Sequence, residues 1–226
     1  MTTFAQHWQG RAKTLATFGD SITEAVHIVP PALRWANRLA ADLGVGLDNR
    51  GISGTVMQGS PDAGGAPRDH NGLSRHARDL LGETRADLVA ILYGTNDARY
   101  TAAPQTFGLE GFVRDYRAVV GNLVDAGFAA EAIVLGSLTH LPDAGFAAGS
   151  EGFTGQTRER YQRFAAAVKD IAIDAGTFYA PVNERMAAEG GDALILADHV
   201  HPNPAGHARI AAIFAEATRP APDTRP

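Results

Sequence analysis

Short apolar runs alternate with segments of helical periodicity along the chain, and this alternation constrains the fold more than any other sequence feature. Five runs are short, apolar and rich in strand-forming residues, as buried β-strands are: 15–18, 45–47, 88–93, 132–135 and 177–182. Strands that alternate with helices indicate an α/β domain whose parallel sheet is covered on both faces. In such sheets ligands bind beyond the carboxyl ends of the strands.

Two segments show helical periodicity most clearly. The first ends before Gly127 and places seven apolar side chains on one face: Phe112, Val113, Tyr116, Val119, Val120, Leu123 and Val124. The second ends before Gly176 and has four apolar positions: Tyr161, Phe164, Val168 and Ile171. Trp35 falls among leucines on a further predicted helix, a pattern typical of core packing.

Composition excludes several classes of partner and chemistry. Twenty Lys and Arg against 25 Asp and Glu give a net charge of −5 without a basic block, so we expect no nucleic-acid partner. No apolar run is long enough to cross a bilayer, so we expect no membrane partner. The absence of cysteine excludes disulfides, thiolate metal sites and a cysteine nucleophile.

The polar N-terminal segment lacks the apolar centre of a secretory signal, so we expect a cytoplasmic protein, with a processed secreted form left open. We predict a single domain over residues 1–218 and a flexible, proline-rich tail at 219–226. Segments 58–72, 98–108 and 140–155 are rich in Gly, Pro, Ala or Asp, and we predict that they are loops that wall a site. Nothing in the sequence predicts the oligomeric state.

Gly19-Asp20-Ser21 directly follows the first predicted strand. A serine on a turn that leaves a buried strand is held rigidly at the carboxyl edge of the sheet, which suits a nucleophile. The same residue types also occur where a serine merely caps the next helix, and for this motif alone that is the better interpretation.

Asp198 and His201 lie three residues apart just before the last predicted helix. One tight turn presents both side chains together, so that the carboxylate orients the imidazole and stabilises its charged form, as in a catalytic triad. Two alternatives remain: a loop in which Asp198 or Asn203 caps a helix, and a metal site formed by Asp198, His199 and His201. The metal site is weaker because no further ligand is evident nearby, and we predict neither metal nor cofactor.

Two further motifs follow predicted strands. Gly94-Thr95-Asn96-Asp97 comes after the most strand-like run, where the Asn96 amide can donate to developing negative charge or simply occupy a turn. The segment 49–55 follows the second predicted strand, and its Gly54 can bring a bare N–H close to a ligand or be an ordinary turn glycine.

Together, in this order, the four motifs resemble those of the GDSL, or SGNH, hydrolase family over almost the whole chain. The resemblance implies a three-layer α/β/α sandwich with a flavodoxin-like, five-stranded parallel sheet. It also implies Ser21 as nucleophile, His201 as base and Asp198 as orienter. The oxyanion hole would consist of the Ser21 N–H, the Gly54 N–H and the Asn96 amide.

Some residues depart from the family or lie outside its motifs. The family often has an acidic residue where the fifth strand ends, whereas this chain has Tyr-Ala-Pro-Val-Asn at 179–183. Asp20, Arg99 and Tyr100 are candidates for contact with the substrate, although the last two are equally an ordinary loop pair. The remaining isolated histidines are given no role: His7, His27, His70, His76, His140 and His207.

The sequence therefore predicts a serine-dependent ester hydrolase that cleaves small acyl esters through a covalent acyl-enzyme. The expected partner is a small-molecule or saccharide ester, such as an O-acetylated carbohydrate. Two alternatives are an acyltransferase with the same triad and a ligand- or carbohydrate-binding module that keeps the fold without catalysis. The chain has no Gly-x-Ser-x-Gly elbow, no His-Glu-x-x-His motif and no phosphate-binding glycine loop.

Overall fold

A computed structural model describes residues 1–61, 65–100, 107–148 and 154–221. Within these ranges five strands form one sheet with the order β2-β1-β3-β4-β5, and all neighbouring strands are parallel. The strands are β1 (Thr14–Gly19), β2 (Gly46–Gly51), β3 (Leu88–Leu92), β4 (Ile133–Gly136) and β5 (Phe178–Ala180). This order is the flavodoxin-like one, which confirms the predicted sheet.

The carboxyl ends of all five strands lie in one row of the sheet. Gly19 pairs with both Gly51 and Leu92, Leu92 pairs with Gly136, and Gly136 pairs with Ala180. Segments that leave the strands at this row therefore start side by side. A site at this edge can draw residues from segments that are far apart in sequence.

Helices cover both faces of the sheet, as the sequence predicts. One layer holds α1 (Phe4–Trp8), α3 (Trp35–Leu43), α9 (Val182–Ala188) and α10 (Pro204–Ala215), and the other holds α4 (Gly72–Leu80), α6 (Leu109–Asp125) and α8 (Arg158–Ala175). Three short helices lie beyond strand ends: α2 (Ser21–Glu24), α5 (Thr95–Arg99) and α7 (Asp143–Ala148). The largest hydrophobic core fills the space between the layers and the sheet.

The two clearest helix predictions are confirmed. In α6 five of the seven apolar positions are buried and Val113 is partly buried, but Val124 is exposed because it lies at the end of the helix beyond the packed stripe. In α8 all four predicted positions are buried, and Gly176 ends the helix with a left-handed φ of 70°. Trp35 is buried and its ring stacks on Phe214 at 4.7 Å between centroids.

The second strand differs from its prediction. It runs from Gly46 to Gly51, so Asn49, Arg50 and Gly51 belong to the strand and do not follow it. It is also an edge strand whose residues are partly exposed, whereas a buried strand was predicted. An edge strand has a neighbour on one side only, so polar residues are tolerated and the apolar signal is short.

Two more boundaries differ. The fifth strand ends at Ala180, and Val182 already begins α9, because Pro181 has no N–H for a strand ladder and stands before the first turn of the helix. The segment 140–155 is not a loop throughout, since α7 occupies Asp143–Ala148. This helix contributes Gly145 and Phe146 to the buried interior. The segment 140–155 around it is rich in glycine, a poor helix former, so the sequence does not reveal the helix.

Parts of the predicted loops and tail lie outside the described residues, namely 62–64, 101–106, 149–153 and 222–226. Within 98–108, Ala98 and Arg99 end α5. Arg219, which the sequence assigns to the tail, forms an ion pair with Glu131 at 2.8 Å. None of the helices within the described residues is long and apolar enough to cross a membrane.

Candidate active site

Ser21 is the first residue of α2, directly beyond the carboxyl end of β1. Asp20 caps this helix, and its side chain accepts a hydrogen bond from the Ile22 N–H at 3.0 Å. Gly19 leaves no room for a side chain, because a Cβ there would collide with Thr23 and the Leu92 carbonyl. The close packing of this turn therefore fixes the Ser21 backbone at the edge of the sheet.

His201 joins Ser21 to Asp198 across the carboxyl edge. Its Nε2 lies 2.9 Å from the Ser21 Oγ, and its Nδ1 lies 2.7 Å from an Asp198 carboxylate oxygen. A carboxylate can only accept, so Nδ1 carries the proton and Nε2 is free to accept the serine proton. The arrangement pairs a hydroxyl with a base whose tautomer is set by an acid.

The segment 198–201 is held largely by its own hydrogen bonds. The second Asp198 carboxylate oxygen accepts the N–H groups of Val200 and His201, each at 2.9 Å. Partial burial raises the pKa of Asp198, but these two N–H groups and the imidazole outweigh it and hold the pKa below its usual value. Asp198 is therefore ionised where His201 needs it.

Gly54 and Asn96 lie on the neighbouring turns of the same edge. Gly54 has a left-handed φ of 75°, which favours glycine, and its N–H, like that of Ser21, has no acceptor among the described residues. The Asn96 side-chain amide donates one N–H to the Thr55 carbonyl at 2.9 Å, which leaves its second N–H for another acceptor. The structure thus brings Ser21, His201 and Asp198 into contact and places Gly54 and Asn96, the other two residues that the sequence predicts for the site, on the turns beyond the neighbouring strands.

Comparison with known proteins identifies the family. A model of the GDSL-like lipase/acylhydrolase family matches residues 17–209, which include every residue of this cluster. The chain belongs to the GDSL-like lipase/acylhydrolase family. This membership makes the protein a carboxylic ester hydrolase and confirms the resemblance found in the sequence.

Solved structures of similar fold are distant in sequence from this acylhydrolase. A lipase/acylhydrolase from Enterococcus faecalis has a TM-score of 0.68 and 20% identity, covering 90% of this chain and 93% of its own. LAE5, an α/β hydrolase enzyme from the metagenome of Lake Arreo in Spain, has a TM-score of 0.67 and 19% identity, and the match covers 89% of this chain and 93% of LAE5. An acetylxylan esterase from Geobacillus stearothermophilus has a TM-score of 0.66 and 21% identity, and the match covers 89% of this chain and 92% of the esterase. No curated protein matches the sequence.

Two buried carboxylates support the nucleophile side of the acylhydrolase site. Asp97 accepts three hydrogen bonds from the chain beyond Thr55: the N–H of Met57 at 2.8 Å, the N–H of Gln58 at 3.1 Å and the Gln58 side-chain amide at 3.1 Å. Burial raises the pKa of Asp97 and of Asp20, each to about 6, against the opposing effect of the hydrogen bonds that each carboxylate accepts, in Asp20 the one from the Ile22 N–H. Asp97 ties the segment that follows the Gly54 turn to the start of α5.

Of the three candidate residues for contact with the substrate, two are buried and one is partly exposed. Asp20 is only 1% exposed. Tyr100 is buried in a small cluster with Val56 and Phe107, under the Arg68 guanidinium at 4.6 Å from the ring centre. Arg99 is partly exposed at the end of α5. Their contact with a substrate stays a prediction.

Three observations concern residues that the sequence analysis left aside. His27, which was given no role, packs edge-on against His201 with ring centroids 5.0 Å apart, and no pattern in the sequence links the two. Glu184 lies just beyond the fifth strand and accepts from the Ser137 and Tyr179 hydroxyls at 3.2 Å, so an acidic group does stand near that strand end. Buried Arg75 contacts the Gly19 carbonyl.

The metal alternative finds no matching geometry in the described part of the chain. No group of three or more His, Asp or Glu side chains there is arranged to hold a metal ion. His199 is exposed, whereas Asp198 and His201 bond to each other.

Proposed function

We propose that this acylhydrolase cleaves small acyl esters through a covalent intermediate on Ser21. The observation that carries the proposal is the continuous hydrogen-bonded line from the Ser21 Oγ through His201 to Asp198, at 2.9 and 2.7 Å. These residues come from opposite ends of the chain, and their combined geometry is what activates a serine hydroxyl.

In the first half of the cycle the Ser21 Oγ attacks the ester carbonyl carbon while His201 Nε2 takes the hydroxyl proton. Asp198 stabilises the imidazolium that forms. Negative charge develops on the carbonyl oxygen, where the N–H groups of Ser21 and Gly54 and the second N–H of Asn96 can donate to it. His201 then returns the proton to the leaving alcohol as the C–O bond breaks, which leaves the acyl group on Ser21.

Water completes the cycle by the same steps. His201 takes a proton from the water as its oxygen attacks the acyl carbonyl, and the released proton returns to the Ser21 oxygen when the acid departs. The reaction consumes one ester and one water and yields one acid and one alcohol.

An open groove beside Gly54 supports the proposal that the acyl group is small or carried by a sugar. It lies between residues 52–55 and 66–70 and has a volume of about 630 Å³, with Ser53, Arg68 and Asp69 among the polar side chains in its walls. Polar walls favour a hydroxylated alcohol moiety over a long acyl chain. The fold is shared with an acetylxylan esterase, so we propose O-acetyl groups on carbohydrates as the substrate class.

The first test is release of p-nitrophenol from its acetate by the wild type and by Ser21→Ala. Loss of the nucleophile should remove nearly all turnover at unchanged melting temperature, because the hydroxyl contributes little to the core. Ser74→Ala is the matched control, since Ser74 is exposed and its hydroxyl bonds only within α4 and its cap. Full activity of Ser21→Ala would refute the serine mechanism.

Substrate class is tested by kcat/KM for acetate, butyrate and octanoate esters, followed by acetylated xylooligosaccharides. We expect kcat/KM to fall as the acyl chain becomes longer. One free acetate should appear for each acetyl group that the saccharide loses. A shortfall of acetate, with ester formed on an added alcohol, would indicate acyl transfer instead. Activity that EDTA abolishes and zinc or manganese restores would support the metal alternative at Asp198, His199 and His201.

A further inference from the structure

A buried guanidinium lies beneath the candidate site. Arg75 on α4 has a side chain only 2% exposed and pairs with Asp79 at 2.6 Å. Its other hydrogen bonds leave the helix: to the carbonyls of Arg50 at 2.8 Å and Gly19 at 2.9 Å, and to the Tyr93 hydroxyl at 3.1 Å. The Gly19 carbonyl belongs to the last residue of β1 and the Arg50 carbonyl to the penultimate residue of β2, just before the turns that carry the site.

Hydrogen bonds from Arg75 continue in one direction to the turn at 52–55. Arg75 can only donate, so the Tyr93 oxygen accepts from it. The single hydroxyl proton of Thr55 goes to a carbonyl, so the Tyr93 proton points to the Thr55 Oγ1, 2.5 Å away. The Thr55 hydroxyl then donates to the Ile52 carbonyl at 2.7 Å. Burial raises the pKa of Tyr93 well above its usual value, so the phenol keeps its proton and remains a hydrogen-bond donor at every working pH.

The hydrogen bonds of this line reach Asn96 directly, and they reach the segments that carry Gly54 and Ser21. The bond between Thr55 and Ile52 closes the turn that contains Gly54. The Thr55 carbonyl accepts the Asn96 amide at 2.9 Å and so sets the direction of its second N–H. The Gly19 carbonyl, two residues before Ser21, accepts from both Arg75 and the Ile52 N–H, at 2.9 and 3.0 Å.

We infer that Arg75, Tyr93 and Thr55 form a positioning relay that holds the Ser21, Gly54 and Asn96 donors in the geometry of the transition state. Arg75 and Tyr93 lie outside the groove, and the hydroxyl of Thr55, which lines it, bonds Tyr93 and the Ile52 carbonyl, so each of the three is a positioning residue. The inference rests on the proposed serine mechanism and deepens it. A displacement of catalytic groups by about 1 Å can cost roughly a hundredfold in rate, so small adjustments of this relay should be visible in kcat.

Tyr93→Phe is the main test because it removes one oxygen atom from the middle of the relay. We expect kcat to fall roughly tenfold to a hundredfold with KM within a few fold, since oxyanion donors act on the transition state and not on the bound ester. Affinity for a boronic acid, which forms a tetrahedral adduct on a serine, should weaken by a similar factor. The matched control is Tyr179→Phe, which removes a buried hydroxyl bonded to Glu184 and should leave kcat unchanged.

Thr55 provides a second pair of variants in case Tyr93→Phe does not fold. Thr55→Val keeps the shape of the side chain without the hydroxyl and should reproduce the loss of kcat. Thr55→Ser keeps the hydroxyl and should restore most of it. A merely structural role would lower the melting temperature of Thr55→Val while the folded fraction kept its kcat.

The outcomes separate this inference from the proposed function. Normal kcat and normal boronate affinity in both Tyr93→Phe and Thr55→Val, with Ser21→Ala inactive, would overturn the relay and leave the serine mechanism standing. An active Ser21→Ala would overturn the mechanism itself. In an Asn96→Ala background the effect of Tyr93→Phe should shrink, because one of the donors that the relay positions is already absent; an undiminished effect in that background would count against the relay.

Discussion

The two halves of the candidate site are built differently. The nucleophile half, formed by Ser21, Gly54 and Asn96, is held by contacts between distant segments, and Asn96 is only 5% exposed. The base half, residues 198–201, is held by hydrogen bonds within a few residues of itself, and the side chains of His201 and Asp198 are 28% and 47% exposed. One half is anchored in the interior, although Ser21 and Gly54 are themselves partly exposed, and the other is a surface turn.

This difference separates catalysis from stability. Residues of the base half can be removed without opening the core, because their bonds are local and partly solvated. In the nucleophile half the Asn96 amide satisfies a buried carbonyl, so its removal leaves that carbonyl without a hydrogen bond, whereas the Ser21 hydroxyl bonds only to His201 among the described residues. Variants of Asn96 should therefore differ in melting temperature from variants of the base half even where both lose activity.

The largest effect is expected in the base half. His201→Ala should lower kcat by roughly a millionfold and Asp198→Ala by roughly ten-thousandfold, because the orienter of a triad is the least damaging loss. Melting temperatures should change little for either. Steady-state kinetics and thermal unfolding on the same preparations measure both quantities.

His199→Asn is the matched control for the base half. His199 is an exposed neighbour with a left-handed φ of 62°, which Asn tolerates, so this variant should keep both kcat and stability. Equal activity in all three variants would remove this turn from the mechanism. A large drop in melting temperature for His201→Ala would show that the turn is not as independent as its hydrogen bonds indicate.

The same contrast explains how far the sequence predicts the site. Asp198 and His201 are three residues apart, so one turn suffices to bring them together and the spacing reveals the pair. Ser21 and Asn96 are visible because each follows a strongly apolar strand of a parallel sheet. Parallel strands align their carboxyl ends, which is why four separate motifs predict one site.

The relay and the His27 contact could not be predicted in this way. The Arg75 bonds to the Gly19 carbonyl and to Tyr93 join residues 56 and 18 positions apart, through partners that carry no pattern of their own. The sequence mispredicts the burial and the end of edge strand β2 and misses helix α7 for a related reason. Their sequences are polar or glycine-rich, and their structure depends on neighbours that a local pattern does not contain.

Asn96→Ala should give the next largest effect and, unlike the base-half variants, should lower stability as well. Loss of one oxyanion donor costs roughly a hundredfold to a thousandfold in kcat, with KM within a few fold. The Thr55 carbonyl also loses its partner in the buried turn, which costs about 1–3 kcal/mol of unfolding free energy. Measurements of kcat, KM and urea unfolding separate the two effects.

Asn183→Ala is the control for Asn96→Ala. The Asn183 amide also donates to a main-chain carbonyl, that of Thr139 at 2.9 Å, but it lies outside the proposed oxyanion hole. Asn183→Ala should keep kcat and lose some stability, although less than Asn96→Ala, because the Thr139 carbonyl also accepts from the Tyr161 hydroxyl at 2.9 Å. If Asn96→Ala behaved in the same way, Asn96 would be a structural residue only.

Asp20→Asn, beside Ser21 of the nucleophile half, should give the smallest effect, and this effect is on the unfolding free energy. Burial raises the pKa of Asp20 to about 6, so the folded state holds its proton more tightly than the unfolded state does. Ionisation of this group therefore lowers stability progressively as pH rises from about 4 to about 6, and the full cost persists above that range. Asn keeps the side-chain oxygen that caps α2 but cannot ionise.

The variant and the wild type should accordingly be about equally stable near pH 4. The unfolding free energy of Asp20→Asn should exceed that of the wild type by an amount that grows to about 3 kcal/mol at most above pH 6, the equivalent of the pKa shift. Urea unfolding at intervals from pH 4 to pH 8 measures this difference, and Asp143→Asn, at an exposed position, controls for the substitution itself. A difference that is constant across this range would mean that the buried carboxylate does not oppose folding, and that the nucleophile half carries its charge without cost.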